Sequence, residues 1–187
     1  MKTALMLIDI QNDYFPKGTM ELEGCLEASR LAGNILNNFR EKGWPVVHIQ
    51  HISVRPGSTF FLPDTEGALF HEDVRPSAGE VVIQKHYPNS FRETPLLEHL
   101  KKEQITRLMI GGMMTHMCID ATVRASFDHG FQCIILHDAC ATRALLFGDQ
   151  KIPADHVQGA FLSALGAVYA RIMSVNDAIL KVQSHQD

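Results

Sequence analysis

Three side chains of complementary chemistry, Asp9, Lys85 and Cys118, each follow an apolar run of this sequence. A thiolate is the attacking form of cysteine, a lysine ammonium stabilises that anion, and a carboxylate can accept the thiol proton. Each of the three residues alone is more often a loop cap, a solvated charge or a packing residue. Together they are the groups that nucleophilic catalysis by a thiol requires. Whether they can act together depends on the strands and helices that would place them near one another.

The cysteine lies in the segment 111–120, which opens with two glycines and follows an apolar run. Apolar residues then recur four apart, at Ile119, Val123 and Phe127. This pattern predicts a strand, a tight turn and a helix whose first turn holds the thiol. The unpaired N–H groups and the dipole of a helix start favour negative charge, so one turn could favour a thiolate and receive an oxyanion.

Strand and helix patterns alternate along the chain. Continuous apolar runs are typical of strands covered on both faces. Apolar or mostly apolar runs occur at 4–8, 46–49, 81–83, 108–110 and 133–136, and a short last strand is expected at about 171–174. Helical spacing of apolar residues appears between them, and Thr94-Pro95 is a good helix start, with Thr as the cap. The alternation predicts a three-layer α/β/α fold with a central, mostly parallel, six-stranded sheet. Ligands of such sheets bind beyond the carboxyl ends of the strands, where the three side chains are expected.

The chain of 187 residues has no break in composition, so we predict a single domain over residues 1–187. The formal net charge is −4 and the basic residues are scattered, which argues against a nucleic-acid partner. No apolar run approaches the ~20 residues of a membrane span, and a signal peptide is not expected.

None of the four cysteines belongs to a C-x-x-C pair. We therefore predict reduced thiols in a cytoplasmic protein. Cys25, Cys133 and Cys140 are interpreted as small buried hydrophobic residues.

Three motifs in order give the chain a resemblance to the isochorismatase-like cysteine hydrolases, the superfamily that includes nicotinamidases. The first motif is the segment 7–15 around Asp9, the second is Lys85 with Phe91 six residues later, and the third is the segment 111–120. The resemblance spans nearly the whole chain. It implies that Asp9, Lys85 and Cys118 are a catalytic triad.

The resemblance also implies a cis peptide bond between Met113 and Met114. That bond would direct the N–H of Met114 into an oxyanion hole beside the N–H of Cys118. It further implies a homo-oligomer, a dimer or a tetramer, acting on a small-molecule substrate.

One departure from the family concerns the metal. Nicotinamidases hold a metal with Asp-x-His and a further His, and those positions here are His51, Ser53 and Thr59. Serine and threonine are poor ligands for a zinc-type ion. We therefore predict no metal and no cofactor, which argues against a nicotinamidase.

We expect hydrolysis of a small amide-type C–N bond through a thioester on Cys118. True isochorismatases lack the nucleophilic cysteine, so vinyl-ether hydrolysis is the alternative within the family. A second alternative is a member without turnover, or a redox sensor that pairs Cys118 with Cys140.

Aromatic residues near the motifs are the candidates for substrate binding: Tyr14, Phe15, Phe60 and Phe91. We expect one of Tyr14 and Phe15 to line the pocket, and one of Phe60 and Phe61 to cover it. The loop 53–78 and the irregular segment 141–154 are expected to shape the pocket.

Other polar residues are assigned supporting roles. Gln11 and Asn12 are expected to brace the Asp9 loop by hydrogen bonds, and Asp138 is expected to be structural. His86 and Asn89 are further polar candidates for the site. The apolar helix at 155–169 could serve an interface or the core, and the core is the expectation.

Overall fold

A central sheet of parallel strands, the predicted arrangement, organises residues 1–184, which the structure, a computed structural model, describes. The eight strands are β1 (Thr3–Ile8), β2 (Val46–His51), β3 (Val81–Lys85), β4 (Arg107–Met113), β5 (Gln132–Ala141), β6 (Leu145–Phe147), β7 (Gln150–Ile152) and β8 (Arg171–Met173). Six of them form the sheet in the order β3-β2-β1-β4-β5-β8. All its neighbouring strands are parallel.

Helices cover both faces of the sheet. They are α1 (Cys25–Glu41), α2 (Leu96–Lys102), α3 (Asp120–Asp128), α4 (Ala154–Val168) and α5 (Val175–Ser184). One apolar core contains residues of α1 and α5, and a second contains residues of α2, α3 and α4. Alternate residues of a strand point to opposite faces, so β1 supplies Leu5 and Leu7 to the first core and Met6 and Ile8 to the second. The predicted three-layer α/β/α fold is confirmed.

Several element boundaries differ from the sequence prediction. β4 and β5 are longer than their apolar runs, and the segment predicted to be irregular after β5 contains the β6–β7 antiparallel hairpin. The helix predicted to start with Pro95 begins at Leu96, whose N–H donates to Thr94 Oγ1 over 3.4 Å. Of the three apolar residues whose spacing predicts α3, Ile119 and Val123 are buried, whereas Phe127 is 42% exposed.

The two glycines predicted to form a tight turn lie within β4 instead. Gly112 has a φ of 136°, and a Cβ atom placed there would lie 2.0 Å from the carbonyl oxygen of Ile8 in β1. Glycine is therefore required because the two backbones approach too closely for any side chain. This contact lies one residue before Asp9, so it helps to position the predicted catalytic edge.

We expect Gly112→Ala to destabilise the protein by about 3 kcal/mol or more, because backbone must move to admit the methyl group. Gly43→Ala is the matched control. Its φ of 63° is also positive, but no atom lies within 4 Å of the added Cβ, so a loss of about 1 kcal/mol is expected. Urea denaturation measures both free energies of unfolding. Equal losses in the two variants would contradict the role given to the contact with β1.

The helix α4 is less buried than predicted. Ala154, Val157 and Leu165 are its buried residues, whereas Val168 is 64% exposed. The expectation of a core helix therefore holds for one face, and a second apolar face is open to solvent.

Among the helices of residues 1–184, none combines the length and apolar character needed to cross a bilayer.

Candidate active site

Asp9, Lys85 and Cys118 meet at the carboxyl edge of the sheet, as their positions after apolar runs predict. Asp9 directly follows β1, Lys85 is the last residue of β3, and Cys118 lies beyond β4. Lys85 Nζ is 2.7 Å from Asp9 Oδ2 and 3.2 Å from Cys118 Sγ. All three side chains are buried. A buried charge needs a counter-ion, and here the Lys85 ammonium and the Asp9 carboxylate neutralise each other.

The backbone around Asp9 is held in an unusual conformation. Asp9 has a φ of 53°, a left-handed value that aspartate tolerates better than most residues, and its N–H donates to Ile49 O over 3.0 Å. Gln11 Nε2 donates to His51 O and Ala68 O, and Gln11 Oε1 accepts from the His51 N–H. The predicted bracing role of Gln11 is therefore confirmed. These bonds fix the ends of β1 and β2 relative to each other.

The turn that carries the thiol differs from the prediction. Residues Thr115–Ile119 form a π-helical turn, and α3 begins only at Asp120. Cys118 thus lies before the regular helix and not in its first turn, because β4 continues through the glycines to Met113. The Met113–Met114 bond is cis, as the resemblance implies. The Met114 carbonyl accepts the N–H groups of Met117 and Ile119 and closes the turn.

Burial and charge set the protonation states at the site. Burial raises the pKa of Cys118, Asp9 raises it further, and Lys85 opposes both. Burial lowers the pKa of Lys85, but Asp9 and Cys118 outweigh it, so the pKa of Lys85 is raised. Both carboxylate oxygens of Asp9 are buried and accept no hydrogen bond from the described residues, although Lys85 Nζ lies 2.7 Å from Oδ2. The resting site therefore holds a thiol beside an ammonium–carboxylate pair, and the carboxylate is available to accept a proton.

The other three cysteines are free and buried, as predicted. Burial raises the pKa of Cys133 to about 11 and that of Cys140 to about 12. Cys133 Sγ contacts the Phe131 carbonyl, whereas Cys118 Sγ accepts a hydrogen bond from Lys85. This difference separates Cys118 from the thiols that serve as packing residues.

His51 is a site residue whose role the sequence did not reveal. Its Nδ1 lies 3.1 Å from Lys85 Nζ, and its ring lines the cavity above Cys118. Burial lowers the pKa of His51 to about 4, and the charges of Lys85, His86 and Arg55 act in the same direction against Asp9. His51 is the last residue of β2, so the rule that located Asp9 and Lys85 could have located it too.

Asp9, His51 and Cys118 also offer three potential metal-ligand atoms, all within 4.8 Å of one another. Lys85 Nζ already contacts all three of these residues. A divalent ion at the same centre would be repelled by the ammonium at close range. The three ligand atoms of Asp9, His51 and Cys118 therefore fit the ammonium of Lys85, and they do not fit a resident metal ion while Lys85 lies among them.

A cavity of about 210 Å³ opens above the thiol. Its lining residues are Tyr14, His51, Ser53, Val54, Arg55, Ser58, Phe60, His86, Pro88, Met114, Met117 and Cys118. Of the four predicted aromatic residues, the structure brings Tyr14 and Phe60 to the cavity. Phe61 N–H donates to Asp13 Oδ2 over 2.6 Å and its ring packs on Tyr14, which leaves Phe60 as the covering residue of the pair.

Phe15 and Phe91, the other two predicted substrate-binding residues, lie away from this cavity. Phe15 is buried and stacks on the His71 ring with centroids 3.7 Å apart. Phe91 packs near the His129 and Phe131 rings behind α3. Both residues were predicted to line the pocket only because they lie in or near the motifs. Their packing against other aromatic rings holds them outside it.

The remaining polar candidates divide between cavity and scaffold. His86 lines the cavity and donates through Nδ1 to Ile52 O over 2.8 Å, whereas Asn89 Oδ1 accepts the N–H of Phe91 within its own loop. Asn12 donates to Glu66 O, which confirms its bracing role. Asp138 Oδ1 accepts the Val175 N–H at the start of α5, so its predicted structural role is also confirmed.

Comparison with known proteins agrees with the fold. The family model of the isochorismatase domain matches residues 3–166. The uncharacterized isochorismatase family protein YddQ of Bacillus subtilis is 49% identical over 97% of this chain and 100% of its own. A solved structure of an isochorismatase-hydrolase homologue from Oleispira antarctica has a TM-score of 0.91 at 43% identity, covering 96% of each chain. Maleamate amidohydrolase of Pseudomonas putida is 28% identical over 76% of this chain and 73% of its own.

The chain thus has a parallel sheet covered on both faces, with a buried Asp–Lys–Cys group at its carboxyl edge. The chain belongs to the isochorismatase family, whose members are hydrolases.

Proposed function

We propose that this protein hydrolyses a small amide-type C–N bond with Cys118 as the nucleophile. The observation that carries the proposal is the buried Lys85 ammonium, 2.7 Å from Asp9 and 3.2 Å from Cys118. A lysine between an acid and a thiol stabilises the ion pair that forms when the proton leaves sulfur. The maleamate amidohydrolase relative supports an amide as the substrate class.

The steps follow from the protonation states. Asp9 accepts the Cys118 proton, and the thiolate attacks the substrate carbonyl to form a tetrahedral anion. The protonated Asp9 then gives its proton to the departing nitrogen, which leaves a thioester on Cys118. Asp9, ionised again, activates a water molecule that cleaves the thioester. Lys85 remains an ammonium throughout, so its positive charge stabilises the negative charge on Asp9 or on the Cys118 sulfur at each step.

The tetrahedral anion requires hydrogen-bond donors near the sulfur. We assign this role to the N–H groups of Met114 and Cys118, and two observations support it. Both residues line the cavity, and the turn between them is closed by the N–H groups of Met117 and Ile119, which donate to the Met114 carbonyl. A cysteine at this position favours attack on a carbonyl over vinyl-ether hydrolysis, which uses no sulfur nucleophile.

The test is release of ammonia from a panel of small primary amides, including nicotinamide, maleamate, aliphatic amides and carbamoyl compounds. The cavity of about 210 Å³ limits the panel to small molecules. The blank is the Cys118→Ala variant at the same concentration. Ammonia release by the wild type and not by the blank supports the proposal. Hydrolysis of a panel compound at equal rates by both proteins would overturn it.

We also propose that the protein is a homo-oligomer in which the open face of α4 and the β6–β7 hairpin meet a second copy. The two elements are consecutive in the chain. Leu146 and Phe147 of the hairpin are 77% and 78% exposed, and the segment 157–170 carries no charged residue. Exposed apolar surface of this kind marks an interaction site, and a symmetric dimer would bury it on both copies.

Light scattering after size exclusion measures the oligomeric state. We expect Phe147→Glu to convert the wild-type assembly into a smaller species at micromolar concentration, because an interface would have to bury the new charge. Leu26→Glu is the matched control. Leu26 is 55% exposed on α1, so the same substitution there is expected to leave the mass unchanged. A wild-type monomer would reject the oligomer, and a Phe147→Glu variant of wild-type mass would reject this surface.

A further inference from the structure

The three protons of the Lys85 ammonium face three hydrogen-bond acceptors, and a carboxylate lies beside them. Its Nζ lies 2.7 Å from Asp9 Oδ2, 3.1 Å from His51 Nδ1, 3.1 Å from Tyr87 O and 3.2 Å from Cys118 Sγ. An ammonium carries three N–H donors, which His51 Nδ1, Tyr87 O and Cys118 Sγ accept. Asp9 Oδ2 is held by charge, because it accepts no hydrogen bond from the described residues. The distribution of these protons decides how strongly Lys85 stabilises the sulfur anion.

His51 can accept from Lys85 only when its own proton is on Nε2. The ring is neutral at pH 7, because burial and the neighbouring charges of Lys85, His86 and Arg55 outweigh Asp9 and bring its pKa to about 4. Its backbone is fixed at both ends by Gln11. The His51 side chain lines the cavity above Cys118.

We propose that His51 is a positioning residue whose neutral imidazole holds the Lys85 ammonium beside Cys118 without adding a second negative charge. This inference rests on the proposed function. A carboxylate at the same place would also accept from Lys85. It would compete with the thiolate for the ammonium, and its charge would oppose ionisation of Cys118. The neutral acceptor leaves the positive charge of Lys85 shared by Asp9 and the sulfur.

The test uses alkylation of Cys118 by iodoacetamide, in which sulfur forms a bond to carbon and iodide leaves. Peptide mass spectrometry assigns the reaction to Cys118 and separates it from the three other thiols. His51→Asn and His51→Asp are a matched pair, because the two side chains have the same shape and differ by one charge. Each rate is measured from pH 5 to pH 10, and circular dichroism verifies that each variant is folded.

We expect Cys118 of His51→Asp to react about tenfold more slowly than that of His51→Asn at pH 7.5, with its rate–pH profile displaced upwards by about one unit. A merely structural role for His51 would not displace the profile between two side chains of equal shape. Coincident profiles for the Asn and Asp variants would overturn the inference.

His51→Phe keeps a ring but offers no acceptor, and it is expected to react more slowly than His51→Asn. A Phe variant with the wild-type profile would also overturn the inference. Because alkylation needs no amide substrate, a wild-type Cys118 that reacts no faster than Cys133 rejects the proposed function itself. A reactive wild type with identical Asn and Asp variants rejects only the role of His51.

Discussion

Replacing Cys118 by alanine is expected to reduce amide hydrolysis by at least about 10³-fold while leaving the protein folded. The residual rate is small because loss of a covalent nucleophile removes most of the acceleration of such enzymes. The thiol is buried, so its removal leaves a small gap that costs about 1 kcal/mol. Ammonia release measures the first effect and thermal melting the second.

Cys133→Ala is the control that separates loss of chemistry from loss of packing. Cys133 is buried in β5, and its thiol contacts the Phe131 carbonyl. The same substitution there is expected to cost a similar amount of stability and to leave turnover within about twofold of the wild type. If Cys118→Ala kept more than about a tenth of the wild-type rate, the assignment of the nucleophile would be wrong.

Much of the edge that holds Asp9 and Lys85 could be predicted from the sequence. Apolar runs gave the parallel strands, and in a parallel sheet every carboxyl end lies on one side. Two strand-end residues were therefore expected to be near each other before any distance was known. His51 ends the neighbouring strand and satisfies the same rule, but it was considered only as the remainder of a metal site.

The turn around Cys118 could not be predicted from local patterns. Two adjacent glycines usually signal a turn, whereas Gly112 is needed because β1 passes too close for a side chain. That requirement depends on a residue more than a hundred positions away. Once β4 continues past the glycines, the chain reaches Cys118 in a π-helical turn and α3 starts later.

The aromatic residues of the pocket could not be predicted from local sequence either. Tyr14 lines the cavity and Phe15 does not, although the two are adjacent in one motif. Their directions are set by ring partners, Phe61 for Tyr14 and His71 for Phe15, which belong to the long loop after β2. Local sequence shows that an aromatic residue is present, and only the packing of that loop decides which one faces substrate.

Asp9→Asn and Lys85→Met are each expected to lose amide hydrolysis by about 10²-fold to 10⁴-fold and to lose stability as well. The two side chains are fully buried and 2.7 Å apart. Removing one charge leaves the other buried without its counter-ion, which costs about 3–5 kcal/mol in comparable pairs. Urea denaturation of each single variant measures this loss, and ammonia release measures the loss of turnover.

The double variant Asp9→Asn/Lys85→Met distinguishes the catalytic role of the pair from its role in stability. Neither charge remains, so the penalty of an unpaired buried ion disappears, and stability is expected to recover to within about 2 kcal/mol of the wild type. Activity is expected to stay as low as in the single variants, because no base is left to accept the Cys118 proton. A double variant as unstable as the sum of the two single losses would show that the ion pair is not the source of the penalty. Recovery of stability without recovery of turnover would identify Asp9 and Lys85 as charges retained for chemistry, at a position where the fold would tolerate neutral residues.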